Sequence, residues 1–250
     1  MSAYTKSISS GILVCRQQNV EVTLVTNWAF RSTRGLVGGM ATLLVAILTT
    51  VGLSGCGAPQ YTYVADSSAG TYYKVPHAWH QISQKSLNAA LAAAGGSGAG
   101  VWSTAYDADA APSADHFLAS DVGQPFVFAE VGTLSPTVSA ELSYNMLRDF
   151  MLPVTSSTRQ ADAASGFPLT NFKQLRDDTI TAKQGVHGVR ETFQYTFPNG
   201  VADTFDEDVL TNANQTVVYF LMVHCTNTCY TSNQTNINTV MSSFTVGSAT

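Results

Sequence analysis

A long apolar segment that contains no charged residue divides this chain into two parts. Residues 35–65 carry no charge, and the apolar centre, Leu36–Val51, follows Arg31 and Arg34. A basic flank, an apolar centre and small residues at the end are the three parts of a secretory signal. The segment is also close to the roughly 18 apolar residues that cross a membrane as a helix, which is the alternative interpretation. We expect residues 1–55 to be a leader that directs the rest of the chain out of the cytosol.

The end of this segment carries a more specific motif. Its residues are Leu53, Ser54, Gly55 and Cys56, and they resemble the bacterial lipobox, where a signal peptidase cuts before a cysteine that carries diacylglycerol. The small residues let an extended backbone enter the peptidase, and the thiol of Cys56 can form a thioether with the lipid. Each buried CH₂ contributes about 0.8 kcal/mol to membrane attachment, so two or more acyl chains, such as palmitate, hold a protein firmly. The motif therefore predicts cleavage after Gly55 and a lipid anchor on Cys56 at the outer face of the cell membrane.

The distribution of charge agrees with export and limits the partners of the chain. Residues 1–55 hold four basic residues and one acidic residue, whereas residues 56–250 hold eight and sixteen. With a formal net charge of −5 and only 12% charged residues, the chain is not expected to bind nucleic acid. Because the segment before Arg31 is long for a leader, we expect translation to start between about residues 20 and 31.

The four cysteines are accounted for by export and lipidation. Cleavage removes Cys15 and the lipid occupies Cys56, which leaves Cys225 and Cys229 in a compartment where disulfides persist. We therefore predict a structural disulfide between these two residues. A redox pair would more typically be Cys-x-x-Cys at the start of a helix, and a metal site would need more ligands than His224.

After a lipidated tether over residues 56–70, residues 71–250 are expected to form a single domain. Apolar and alternating runs predict strands at Thr71–Val75, Val101–Tyr106, Pro125–Val131, Phe172–Ala182, Val186–Phe197, Ala202–Thr211 and Val217–Val223. Helical spacing predicts helices from about Gln81, from Ser135 to before Pro153, and over Asn233–Ser242, with a polar loop over residues 154–166. The hairpin signal Asn199-Gly200 favours an antiparallel arrangement. The expected fold class is α+β, an antiparallel meander of about six to seven strands flanked by helices.

Both ends of this domain carry short motifs of aromatic and apolar residues. At the start, Tyr72-Tyr73-Lys74-Val75-Pro76-His77-Ala78-Trp79 has an aromatic residue, valine, proline and, after two further residues, tryptophan. At the end, the apolar strand Val217–Val223, Tyr230 and Ser243-Phe244-Thr245-Val246 follow in order. Over about residues 71–246 this pattern resembles PsbP-like domains, and exported lipoproteins of the mycobacterial Lpq type are similar. The resemblance implies an antiparallel sheet flanked by helices and a non-enzymatic binding or assembly role.

The remaining candidates for chemistry are histidines and acidic residues. His77 and His80 have a spacing that metal ligands can use, but no carboxylate lies nearby in the sequence, so we predict surface histidines and no metal site. Two acidic groups, Asp107 with Asp109 and the run from Asp203 to Asp208, are expected to be solvated, with calcium as the alternative. In the second group, strand alternation sends Asp206 and Asp208 to one face and Glu207 to the other.

These observations favour a lipid-anchored, extracytoplasmic binding or scaffolding domain. Its partner is expected to be a cell-envelope protein, peptidoglycan or a small apolar ligand, and we expect no cofactor. The alternative is an exported hydrolase whose site is assembled from distant residues such as His116, Asp121 and a serine of a loop.

Overall fold

The computed structural model describes residues 59–94 and 102–247. The predicted leader, Leu53 to Cys56 of the lipobox-like motif and the glycine-rich segment 95–100 lie outside the described residues. The strands within the described ranges are β1 Tyr61–Asp66, β2 Thr71–Pro76, β3 His80–Gln81, β4 Trp102–Asp107, β5 Phe126–Thr133, β6 Thr170–Thr181, β7 His187–Thr196, β8 Ala202–Thr211, β9 Val217–Thr226 and β10 Thr245–Val246. The α-helices there are α1 Gln84–Ala93, α2 Pro136–Glu141, α3 Tyr144–Arg148, α4 Ser156–Ala164, α5 Asn227–Ser232 and α6 Gln234–Ser243.

The strands form two antiparallel sheets. The larger sheet has seven strands in the order β3-β4-β5-β9-β8-β7-β6, and the smaller one has the order β1-β2-β10. In the larger sheet β6, β7, β8 and β9 are consecutive hairpins, and the turn between β7 and β8 uses Gly200 at a φ of 83°. The predicted α+β class with an antiparallel meander and flanking helices is therefore confirmed.

Apolar side chains cover both faces of the central strand β9. On one face Phe220 and Met222 pack with Phe128 of β5 and with residues from α1 and α3. On the other face Leu221 and Val223 pack with α6 and with β2 of the smaller sheet. A strand buried on both sides is apolar throughout, as the sequence predicted for this one.

Three parts of the chain differ from the prediction. Residues 61–66 form β1, which pairs along its whole length with β2, so the prediction of an unstructured tether is wrong for these residues. The predicted helix between Ser135 and Pro153 is broken into α2 and α3 because Ser143 caps a new helix by accepting a hydrogen bond from the backbone N–H of Met146. After this break Leu147 is buried, whereas Met146, which helical spacing from Val138 and Leu142 had placed on the apolar face of one continuous helix, is 40% exposed.

The third difference concerns short helices. Residues 156–164 form α4, not a loop, and α5 precedes the predicted last helix. Each starts at a threonine, Thr155 or Thr226, whose hydroxyl accepts a hydrogen bond from a backbone N–H of the first turn. Helices of one or two turns show too little periodicity to be identified from apolar spacing alone.

Candidate functional site

Five acidic residues of two neighbouring strands are buried. We call them the acidic cluster; it consists of Glu191 of β7 and Asp203, Asp206, Glu207 and Asp208 of β8, none of which is more than 4% exposed. The prediction that the carboxylates from Asp203 to Asp208 are solvated is therefore wrong. The reason is that β8 is an interior strand with β7 and β9 on its two sides, and both of its faces are covered.

Glu207 lies opposite Glu191 in the register of β7 and β8, and Glu191 lies opposite Asp177 of β6. Arg148 of α3 donates to Asp177 through Nε and Nη2, at 3.0 and 2.9 Å, and its Nε lies 3.9 Å from Oε1 of Glu191. That same oxygen accepts a hydrogen bond of 2.9 Å from Gln174. Oε2 of Glu191 and both carboxylate oxygens of Glu207 have no hydrogen-bond partner among the described residues. Arg148 thus contacts Asp177 and Glu191, and Glu207 lies next in the same row of carboxyl groups.

Burial changes the ionisation of Glu191 and Glu207. Loss of solvation disfavours the charged form of a carboxyl group. It raises the pKa of Glu191 to about 7, although the hydrogen bond from Gln174 lowers that pKa. It raises the pKa of Glu207 well above its usual range, and the charges of Glu191, Asp206 and Asp208 raise it further. Glu207 is therefore stabilised in its protonated, neutral form.

On the opposite face of the sheet, Arg190 of β7 lies between two carboxylates of β8. Its Nε is 3.6 Å from Oδ1 of Asp206 and 3.7 Å from Oδ1 of Asp208. Tyr230 of α5 donates its hydroxyl to the other oxygen of Asp206, at 2.8 Å. Burial raises the pKa of Asp208 to about 7, and raises that of Asp206 as well, although Arg190 lowers both. The alternation predicted for Asp206, Glu207 and Asp208 is confirmed, since Arg190 lies beside both aspartates whereas Glu207 lies opposite Glu191.

Glu191, Arg190 and Arg148 were not identified from the sequence. A signal for Glu191 was present, because it is in phase with Val189, Phe193 and Tyr195 on the apolar face of β7. An acidic residue that shares one face of a strand with apolar side chains indicates a buried carboxyl group. Arg148 gave no such signal, since its contact with Asp177 and Glu191 depends on how α3 packs against the sheet.

Two histidines lie beside carboxylates near one end of the larger sheet. His224 of β9 is fully buried; its Nε2 accepts a hydrogen bond from the backbone N–H of Leu118, which places the proton on Nδ1, 3.6 Å from Asp203. Its ring stacks on Phe205 with centroids 5.3 Å apart. His116 pairs through Nδ1 with Asp107 at 2.7 Å and keeps 30% of its side chain exposed.

Asp107 is buried and has a structural role. Besides His116, it accepts hydrogen bonds from the backbone N–H groups of Asp109 and Ser113, at 2.9 Å each. It therefore holds the loop after β4, and the prediction that it is solvated is wrong. The partner of His116 is Asp107, whereas Asp121, which the hydrolase alternative placed with it, is exposed.

The remaining predicted residues within the described ranges are two cysteines and two histidines. Cys225 at the end of β9 and Cys229 in α5 form a disulfide, so the bridge joins a strand to the first turn of a helix. His77 and His80 are exposed. Within residues 59–94 and 102–247 no group of three or more histidine, cysteine or acidic residues is arranged to hold a metal ion. None of the helices in those ranges is long and apolar enough to cross a membrane.

The chain matches no family model and no curated protein. Among solved structures it is similar to the PsbP protein of the cyanobacterium Synechocystis, with a TM-score of 0.48 and 13% identity over 77% of this chain and 96% of that one. It is similar to LpqN of Mycobacterium tuberculosis, a protein involved in cell envelope biogenesis, with a TM-score of 0.40 and 14% identity over 76% and 91%. The Ran-binding protein Mog1p of Saccharomyces cerevisiae gives a TM-score of 0.39 and 8% identity over 74% and 95%.

Proposed function

We propose that this chain is a lipid-anchored, extracytoplasmic binding protein. Leu53 to Cys56 would direct cleavage and lipidation, and the α+β domain that follows would bind a partner in the cell envelope. The observation that carries the proposal is the lipobox-like motif at the end of an apolar segment with a basic flank. The folded domain from β1 to β10, at Tyr61–Val246, would be retained on cleavage after Gly55.

The exposed edge of the larger sheet favours a protein as the partner over a small apolar ligand. β6 is twelve residues long, and ten of its side chains are exposed. An edge strand has unpaired backbone N–H and C=O groups, to which an extended segment of a partner can add as a further strand. The core clusters of the domain, by contrast, are filled by packed aromatic side chains such as Phe128, Phe193 and Phe220.

Mass spectrometry of the protein purified from a bacterial membrane tests the anchor. We expect a product that begins at Cys56 and carries diacylglycerol there. A Cys56→Ala variant should keep the upstream peptide and carry no lipid, whereas the matched Cys15→Ala variant should give the same lipidated product as the wild type. An unmodified Cys56 thiol still joined to the upstream peptide would overturn the proposal.

The pair of His116 and Asp107 keeps one catalytic alternative open to experiment. A carboxylate that orients a partly exposed histidine is one half of a hydrolytic triad, and here the two side chains are 2.7 Å apart. The nearby Ser113 hydroxyl instead accepts a hydrogen bond from the backbone N–H of Asp115. Covalent labelling of the purified protein by a fluorophosphonate, abolished in a His116→Ala variant, would establish a hydrolase in place of a binding protein.

A further inference from the structure

The outer face of the smaller sheet carries a group of tyrosines. In the register of β1 and β2, Tyr63 lies opposite Lys74, and Ala65 lies opposite Tyr72. The alternate residues of these strands, such as Val64, Tyr73 and Val75, are buried against the larger sheet. Since side chains alternate between the two faces of a strand, Tyr61, Tyr63, Tyr72 and Lys74 share the outer face, which we call the tyrosine face.

The side chains of the tyrosine face are arranged against one another. The rings of Tyr63 and Tyr72 stack with centroids 6.2 Å apart and planes 21° apart. The ammonium group of Lys74 lies 4.5 Å from the centre of the Tyr61 ring. Tyr63 is nevertheless 66% exposed, more than any other large apolar side chain of the described residues. A preformed group of aromatic rings that stays in contact with solvent is typical of an interaction surface.

The chain itself places this surface close to the proposed anchor. Tyr61 is five residues after Cys56, so even a fully extended backbone allows a separation of no more than about 18 Å. A lipid on Cys56 would hold that residue at the bilayer, and β1 would then start no more than about 18 Å from the bilayer surface. This step rests on the proposed function.

The chemistry of the tyrosine face matches the headgroup region of a bilayer. Tyrosine has an apolar ring and a polar hydroxyl and is enriched where hydrocarbon meets water. Lysine extends its stem along apolar surface and keeps its charge at the headgroups, where it is attracted to anionic lipids by about 1 kcal/mol. We propose that the domain rests on the membrane through the tyrosine face, with the rings of Tyr63 and Tyr72 at the level of the headgroups.

Quenching by brominated lipids tests this orientation. The full-length lipidated protein is reconstituted into vesicles of phosphatidylcholine and phosphatidylglycerol with or without brominated acyl chains, as the wild type and as a Tyr63→Trp variant. The matched control is Tyr144→Trp, at a position of α3 that is 40% exposed. After subtraction of the wild-type emission, we expect bromine to reduce the emission of the tryptophan at position 63 by about twofold or more and to leave that at position 144 unchanged.

The native side chain provides a second measurement. Nitration of Tyr63 by tetranitromethane should slow when the wild-type protein is bound to vesicles, and nitration of Tyr144 should not. Equal quenching at both positions, or none at position 63, would overturn the orientation if the intact mass shows a lipid on Cys56. A mass without that lipid would overturn the proposed function and this orientation with it. Binding to purified peptidoglycan that a Tyr63→Ser variant loses, without bromine quenching, would assign the tyrosine face to a sugar and also overturn it.

Discussion

Glu207 combines two features that each disfavour its ionised form. It is fully buried and accepts no hydrogen bond from the described residues, and it lies opposite Glu191 between Asp206 and Asp208 on its own strand. Moving an ion out of water without a partner destabilises the charged form, and neighbouring negative charges add to this. The proton on Glu207 is therefore coupled to folding.

The sign of this coupling predicts how stability depends on pH. Glu191 and Asp208 have pKa values raised from 4.5 and 3.8 to about 7. Between about pH 4 and pH 7 the folded domain binds protons that the unfolded chain has released, so its free energy of unfolding falls as the pH rises. We expect a Glu207→Gln variant, which is neutral at every pH, to melt about 4 °C or more above the wild type at pH 8.

Thermal melts at two pH values check this prediction. At pH 4.5 the wild type and the Glu207→Gln variant should melt at similar temperatures, because Glu207 is then protonated. The matched variant Glu141→Gln changes an exposed residue of α2 and should alter neither melt. A Glu207→Gln variant that melts below the wild type at pH 8 would show that the carboxylate makes a stabilising contact, contrary to our account.

At the scale of elements, the packing of β7 against β8 leaves no room for a side chain at one glycine. Gly188 lies opposite Leu210 in the register of the two strands. A Cβ atom added there would meet the carbonyl oxygen of Val209 and would lie 2.8 Å from the Cα of Leu210. Both contacts are with backbone, which cannot move aside without breaking the pairing of β7 with β8.

A Gly188→Ala variant is therefore expected to lose at least about 3 kcal/mol of unfolding free energy, which urea denaturation measures. Gly123 provides the comparison, since a Cβ atom there would have no atom within 4 Å. Gly123→Ala should change the free energy by no more than about 0.5 kcal/mol. If both variants unfold at the wild-type urea concentration, the close approach of β7 and β8 is not part of the fold in solution.

The elements differ in how far they could be predicted. The strands from β6 to β9 followed from apolar or alternating runs and from Asn199-Gly200, because such runs and a turn are local properties. The helices α4 and α5, which were not predicted, have nine and six residues. Such short helices are stabilised mainly by tertiary packing, so their apolar spacing alone did not identify them.

At the scale of the whole molecule, protection should decrease from the centre of the larger sheet to its edge. β9 has β5 and β8 on its two sides and is covered on both faces, whereas β6 pairs only with β7 and has exposed side chains. Every second N–H group of an edge strand points away from the sheet. Local opening is also easiest where few apolar contacts must be broken.

Hydrogen exchange followed by mass spectrometry measures this difference. Peptides from Val217–Thr226 are expected to exchange at least about 100-fold more slowly than peptides from Thr170–Thr181. Binding of an envelope partner along β6 should slow hydrogen exchange only in the peptides from Thr170–Thr181. Equal protection of both segments in the isolated protein would contradict the position of β6 at a free edge.

The sequence by itself determined the features that depend on neighbouring residues. These are the basic flank and apolar segment before Cys56, the lipobox-like motif, the apolar and alternating runs of the strands, and the short spacing of Cys225 and Cys229. Only the tertiary structure decided that the acidic cluster is buried, that β1 joins β2, and that His116 pairs with Asp107. Alternation shows which residues share a face of a strand, but a face is buried only when another element covers it, and that element comes from elsewhere in the chain.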